Sequence, residues 1–209
     1  ILFFYRYAQT KVCKKAIYNM TIDIKTSQKW IDAAYLEFAV NGPEFSIKEL
    51  AKKTMLPRST LYYYFDSKEN LIQELLNQHR LYIETYHQEI KSNVKTLIPD
   101  LYELMFRYKE SVLFHHKLLK YGHIKAFYTL YKDANDTTLN IVLPLIKALF
   151  KPDARDSDII HFYHTLIDAW YSRLDTKNMN VESMIALAVE IMENTLGLYT
   201  GVLLKKDLK

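Results

Sequence analysis

Phe45–Asn70 reads FSIKELAKKTMLPRSTLYYYFDSKEN, and its spacing describes two short helices across a tight turn, followed by the start of a third. Ser46 with Glu49 three residues later forms a capping-box pattern, which opens a helix whose Ile47, Leu50 and Ala51 fall on one face. Thr54-Met55-Leu56 interrupts that pattern. Pro57 follows, and a residue with no backbone N–H to leave unpaired suits the first position of the next helix. In that second helix Leu61 and Phe65 lie four apart and can anchor it to a core, which turns Arg58, Ser59, Tyr62 and Tyr63 outward. Asp66 and Glu69 repeat the capping pattern at the head of a long third helix. A short helix, a tight turn and a second short helix with a polar outer face make a helix-turn-helix, the arrangement that sets a helix in the major groove of DNA.

Composition agrees with a helical protein. The chain has 209 residues, 49% of them apolar, enough for a real core, while 4 glycines and 5 prolines leave little turn chemistry for hairpins. With 17 Tyr and 10 Phe it suits either an aromatic pocket or plain core packing. Cys13 is the single cysteine, so no intrachain disulfide forms and a reducing, cytoplasmic setting is expected. No apolar run approaches the roughly 20 residues of a membrane helix, and Ile1–Phe4 is too short for a secretory signal core. The formal charge is +4; residues 1–95 hold 14 Lys and Arg against 10 Asp and Glu, and residues 96–209 hold 14 of each. Lys48, Lys52, Lys53, Arg58 and Lys68 gather this excess around the motif, where phosphate contacts belong. Residues 1–22 stand apart as an N-terminal extension or arm: Met20 is one possible start, and a basic arm using Lys11, Lys14 and Lys15 in a minor groove is the other reading.

From Lys29 to Leu76 the chain resembles the DNA-binding domain of TetR/AcrR-type transcriptional regulators. The resemblance is carried by Ala33-Ala34, Phe38 and Gly42 in the first helix, then Leu61-Tyr62-Tyr63-Tyr64-Phe65, then Lys68-Glu69-Asn70-Leu71. It departs from that family at Met55, where the turn usually holds Gly, at Pro57, where Ser or Thr is usual, and at Tyr64, where His is most frequent. The resemblance implies an all-α fold: a three-helix helix-turn-helix domain over 23–72, then a helical effector-binding and dimerisation bundle over 73–209. It also implies a homodimer joined through the last two helices, about 156–174 and 180–200, with Trp170, Met184, Ala188 and Met192 as seam candidates. Two recognition helices about 34 Å apart would then read a near-palindromic operator.

Chemistry assigns roles within the reading head. Arg58 has the fork geometry for guanine O6 and N7; Ser59, Thr60 and Tyr63 suit base edges or thymine methyls; Ser46, Tyr62, Tyr64 and Lys68 suit phosphates. The resemblance places a small-molecule effector site between the long third helix and residues 100–170, with Phe106, Tyr108, His115, Phe127, Tyr128, His164 and Trp170 as candidate walls for an apolar or aromatic ligand. His161 and His164, or His115 and His116, lack the companion ligands of a zinc site, so no metal or other cofactor is expected. No Gly-rich phosphate loop and no G-x-S-x-G is present, which argues against an enzyme. A ligand-responsive DNA-binding regulator, acting as a repressor, is the leading reading. An effector-independent regulator with a filled core, and a helical enzyme or metal-binding bundle, are the alternatives.

Overall fold

Trp30, Ala34 and Phe38 recur at four-residue spacing, which stacks them on one face of a helix, and all three are fully buried. They lie on α1 (Lys11–Asn41), the first of nine α-helices among the residues that the computed structural model describes, 11–150 and 154–199. Gly42 ends α1 at φ +68, a left-handed conformation in which a side chain would be strained, and a turn of 3-10 helix over Gly42–Glu44 follows. α2 (Ile47–Thr54) and α3 (Arg58–Phe65) then form the helix-turn-helix, and α4 (Lys68–Asn93) is the long third helix of the motif. Leu50 and Leu61 have no exposed surface, so α2 and α3 bury the faces that their spacing marks. Burying side chains of this size stabilises by about 1.5–3 kcal/mol each.

The ends of these helices differ in detail from the sequence reading. Ser46 caps α2 by accepting the Glu49 N–H, but Glu49 turns to Lys52 (2.9 Å) and leaves the box half made. Pro57 is the cap of α3 rather than its first residue: its extended ψ of 141 lets its carbonyl accept the Thr60 N–H. α4 is capped by Ser67, whose Oγ accepts the Asn70 N–H at 3.1 Å; Asp66 instead closes α3 at φ 57. Met55, in the left-handed region at φ 55 and ψ 32, closes α2 with its N–H on the Ala51 and Lys52 carbonyls.

Past Asn93 the chain kinks at Ile98, and the Asp100 carboxylate accepts the N–H groups of Lys95 and Thr96, both at 2.9 Å. These two bonds hold its carboxyl below the usual carboxylate range. α5 (Tyr102–Arg107) and α6 (Lys109–Lys120) meet at Tyr108; α7 (Lys125–Lys147) carries Pro144 inside its last turn; α8 (Asp156–Arg173) and α9 (Val181–Tyr199) pair with each other. The chain forms an all-α helix-turn-helix unit and a helical bundle, with the division between Leu75 and Leu76 and with Ala39–Gly42 counted in the second unit.

The four seam candidates lie elsewhere than expected. Trp170, Met184 and Ala188 have no exposed surface and Met192 is 6% exposed, so the protomer's own core already uses all four. Trp170 Nε1 donates to the Met184 carbonyl at 3.0 Å, locking α8 to α9. Of the N-terminal extension, residues 1–10 lie outside the described residues, as do the side chains of Lys11, Lys14 and Lys15, where the backbone is already helical. Lys151-Pro152-Asp153, the expected loop, also lies outside them.

Candidate functional site

The outer face of α3 presents Arg58, Ser59, Tyr62 and Tyr63. All four are exposed, Tyr63 at 73%, and none makes a side-chain hydrogen bond or ion pair with the described residues. Anchoring by Leu61 and Phe65 on the opposite face fixes this orientation. Thr60 is a correction: it is half-buried, its Oγ1 accepts Trp30 Nε1–H at 3.1 Å and donates to the Pro57 carbonyl at 2.7 Å, so it positions α3 against α1 and is not turned toward bases. Tyr64 donates to Asp23 at 3.0 Å, and burial first, then this bond, raises its pKa above the ordinary phenol value. The Lys68 ammonium sits 4.5 Å above the Phe45 ring, and its partial burial lowers its pKa from the ordinary lysine value. Ser46 is exposed, with its Oγ engaged in the cap. Around this face Lys52 pairs with Glu49 and Lys53 with the buried Glu37, while Lys48 is exposed.

Within the bundle unit lies a cavity of about 60 Å³. Its walls come from α4 through Tyr86 and His87, from α6 through His115, from α7 through Asn135, and from α8 through Tyr163 and Tyr171. No lining residue is an Asp, Glu, Lys or Arg. His115 is pushed down to about 3 by burial, and the nearby His79, 3.3 Å away through its Nε2, is lowered by burial too, so both rings are neutral. His87 meets the Thr138 hydroxyl at 3.0 Å. Two lining polar atoms, Tyr163 Oη and Asn135 Nδ2, find no hydrogen-bond partner among the described residues. Leaving such groups unpaired costs about 1–3 kcal/mol each in a protein interior.

Of the seven expected pocket walls, only Tyr108 and His115 line the cavity. Phe127 is buried in the core, Phe106 is half-buried off the cavity, and Tyr128 is 51% exposed. His164 faces Asp136 at 3.6 Å near the surface, and Trp170 bonds to Met184. Three of these misses are errors of one residue in helical phase: Met105, Tyr163 and Tyr171 line the cavity where Phe106, His164 and Trp170 were expected. One residue turns a helix by about 100°. The spacing of Ile83, Tyr86 and His87 on α4, at i, i+3 and i+4, was the available signal for a wall that the sequence reading passed over.

Residues 31–75 match the model of the bacterial regulatory proteins of the tetR family. This stretch is similar to the bacterial regulatory proteins of that family. The matched residues run from α1 through the helix-turn-helix into α4. No curated protein matches it significantly in sequence. Solved structures match it in fold. A TetR-family regulator from Agrobacterium tumefaciens is 13% identical, with TM-score 0.59, over 82% of this chain and 98% of that one. A ketosteroid transcriptional regulator of Mycobacterium tuberculosis is 15% identical, with TM-score 0.52, over 86% and 95%. A transcriptional regulator from Saccharomonospora viridis in complex with choline is 17% identical, with TM-score 0.55, over 81% and 96%. Among the described residues no cluster of His, Cys, Asp or Glu is placed to hold a metal, and no helix is long and apolar enough to cross a membrane.

Proposed function

We propose that this chain is a cytoplasmic, homodimeric repressor that holds a near-palindromic operator through α3 of each protomer and releases it when a small molecule enters the bundle cavity. The observation that carries the DNA half of this reading is the outer face of α3: Arg58, Ser59, Tyr62 and Tyr63 are exposed and make no side-chain hydrogen bond or ion pair with the described residues. Arg58, in the first turn of α3, supplies the bidentate fork for a guanine. The effector half is supported by the cavity and by α4, one continuous helix that begins in the helix-turn-helix unit at Lys68 and contributes Tyr86 and His87 to the cavity wall. A ligand that binds one setting of α4 better than another would shift the reading heads by that difference in affinity. The dimer seam, in this reading, runs over the outer faces of α8 and α9, where Ile160 and Ala186 are exposed and Val189 is half-buried.

A second reading has one observation in its favour. At about 60 Å³ the cavity is far below the roughly 300–1,000 Å³ of sites for drug-sized ligands, which suits a regulator that needs no effector. Neither a ketosteroid nor any ligand of several rings enters a space of this size without movement of its walls. Fluorescence anisotropy of the whole chain on a duplex from upstream of its own gene, against a scrambled duplex, tests the DNA half. The expected result is tighter binding to the first, with log affinity falling linearly with log salt; equal binding to both would remove the operator from the reading.

A further inference from the structure

The bundle cavity carries two polar atoms that find no partner among the described residues, and they describe what it would take. Tyr163 is 3% exposed and Asn135 6% exposed, and both line the cavity, from α8 and α7. Buried polar groups in folded proteins are paired in the great majority, so two orphans lining one cavity call for a partner that the described residues do not supply. Burial, with Tyr171, Asp136 and Asp168 nearby, keeps Tyr163 a protonated phenol, so its Oη–H is a donor; Asn135 Nδ2 is a donor by its chemistry. The rest of the wall is apolar or aromatic, through Leu101, Val112, Leu166 and the ring of Tyr102, with no charged side chain to answer an ion. The volume of about 60 Å³ holds about four to six waters, which matches one six-membered ring with a single small substituent.

We infer that the cavity is a site for a neutral, single-ring molecule bearing a carbonyl oxygen, with Asn135 Nδ2 and Tyr163 Oη donating to that oxygen and the aromatic and aliphatic wall enclosing the ring. This rests on the effector reading above and gives it a ligand class. An anion would lose its water with no cation to replace it, and a hydrocarbon of the same size would leave both donors unpaired.

Four probes of similar bulk separate the possibilities in thermal-shift and calorimetric titrations of the full chain: cyclohexanone, benzene, benzoate and tetramethylammonium. Cyclohexanone is expected to raise the melting temperature in proportion to its occupancy, and benzene to bind about tenfold more weakly or worse. Tyr163→Phe gives a readout that a merely structural role would not. Deleting an unpaired buried hydroxyl should raise the melting temperature of the ligand-free chain while weakening cyclohexanone about tenfold. Asn135→Leu should weaken cyclohexanone to a similar extent. Equal affinity for cyclohexanone in Tyr163→Phe and wild type, or benzene binding as well as cyclohexanone, would overturn the polar subsite while leaving an effector cavity standing. Preference for tetramethylammonium or benzoate would overturn the ligand class alone. Binding of none of the four, in a chain that still binds its own upstream DNA, would overturn this inference together with the effector reading.

Discussion

The reading head and the bundle use their polar side chains in opposite ways. In the head, Thr60 joins Trp30 to Pro57, Tyr64 holds Asp23, and the exposed Ser46 caps α2, so these polar groups are engaged within the unit. Its uncommitted groups, Arg58, Ser59 and Tyr62, point to solvent. In the bundle two groups with no partner among the described residues, Tyr163 Oη and Asn135 Nδ2, lie inside. The direction in which a region leaves hydrogen bonds unmade tells what it is built to meet. On the proposed function, that is a large polyanion met at the surface for the head, and a small molecule met in the interior for the bundle.

Removing the anchor of the head is the strongest way to break this contrast. Trp30→Ala is expected to cost about 3–5 kcal/mol by deleting a fully buried indole, and it frees Thr60 as well. Denaturant unfolding should show that loss, and DNA binding should go with it although Trp30 is on the inner side. Retention of DNA affinity at unchanged stability would show that α3 does not depend on this anchor.

Acid separates the two regions next. All seven histidines lie at His79 or beyond, in the bundle unit. His115, packed among His79, Tyr131, Tyr171 and Asn135, is pushed down to about 3 by burial. An unfolded histidine titrates near 6.5. Between about pH 6.5 and 3 the unfolded chain therefore binds a proton that the folded bundle refuses, and stability is lost as pH falls through that window. At pH 5 His115 alone costs about 2 kcal/mol relative to pH 7. The two tryptophans report on this separately, Trp30 from the head and Trp170 from the bundle. Thermal melts of Trp30→Phe, which leaves the bundle reporter, should shift down between pH 7 and pH 5. Those of Trp170→Phe should shift less, and equal shifts would contradict the assignment.

On the head itself, Arg58→Ala should cost about 1–3 kcal/mol on specific DNA with no change in melting temperature. Loss of affinity equally on specific and random duplexes would make Arg58 a phosphate contact instead. The smallest effect belongs to Met55, held at φ 55 where glycine is at ease. Met55→Gly should stabilise the head by up to about 1 kcal/mol, the relieved strain exceeding the added unfolded-state entropy. A lower melting temperature would mean that the exposed Met55 side chain makes contacts that outweigh its strain.

The motif was legible because its information is local. Capping residues, a turn and the four-residue spacing of Leu61 and Phe65 all fall within one stretch of the chain. Thr60 was misread because its partner is 30 residues away, at Trp30, and no local pattern announces that bond. The cavity was harder for the same reason. Its helices were found, but a wall is set by rotation about each helix axis, and one residue of phase exchanges His164 for Tyr163 and Trp170 for Tyr171. The seam residues were misplaced because apolar content alone does not say whether a face meets its own core or a second chain. Trp170, Met184 and Ala188 meet their own.

The central claim is that the outward face of α3 reads DNA as one of a two-fold pair. Hydroxyl-radical footprinting of the chain on its own upstream region tests it most directly. The account predicts two protected half-sites of inverted sequence, their centres about 10 base pairs or a multiple of it apart, with both protections lost together in Arg58→Ala. A single protected segment, or two that persist in Arg58→Ala, would contradict it.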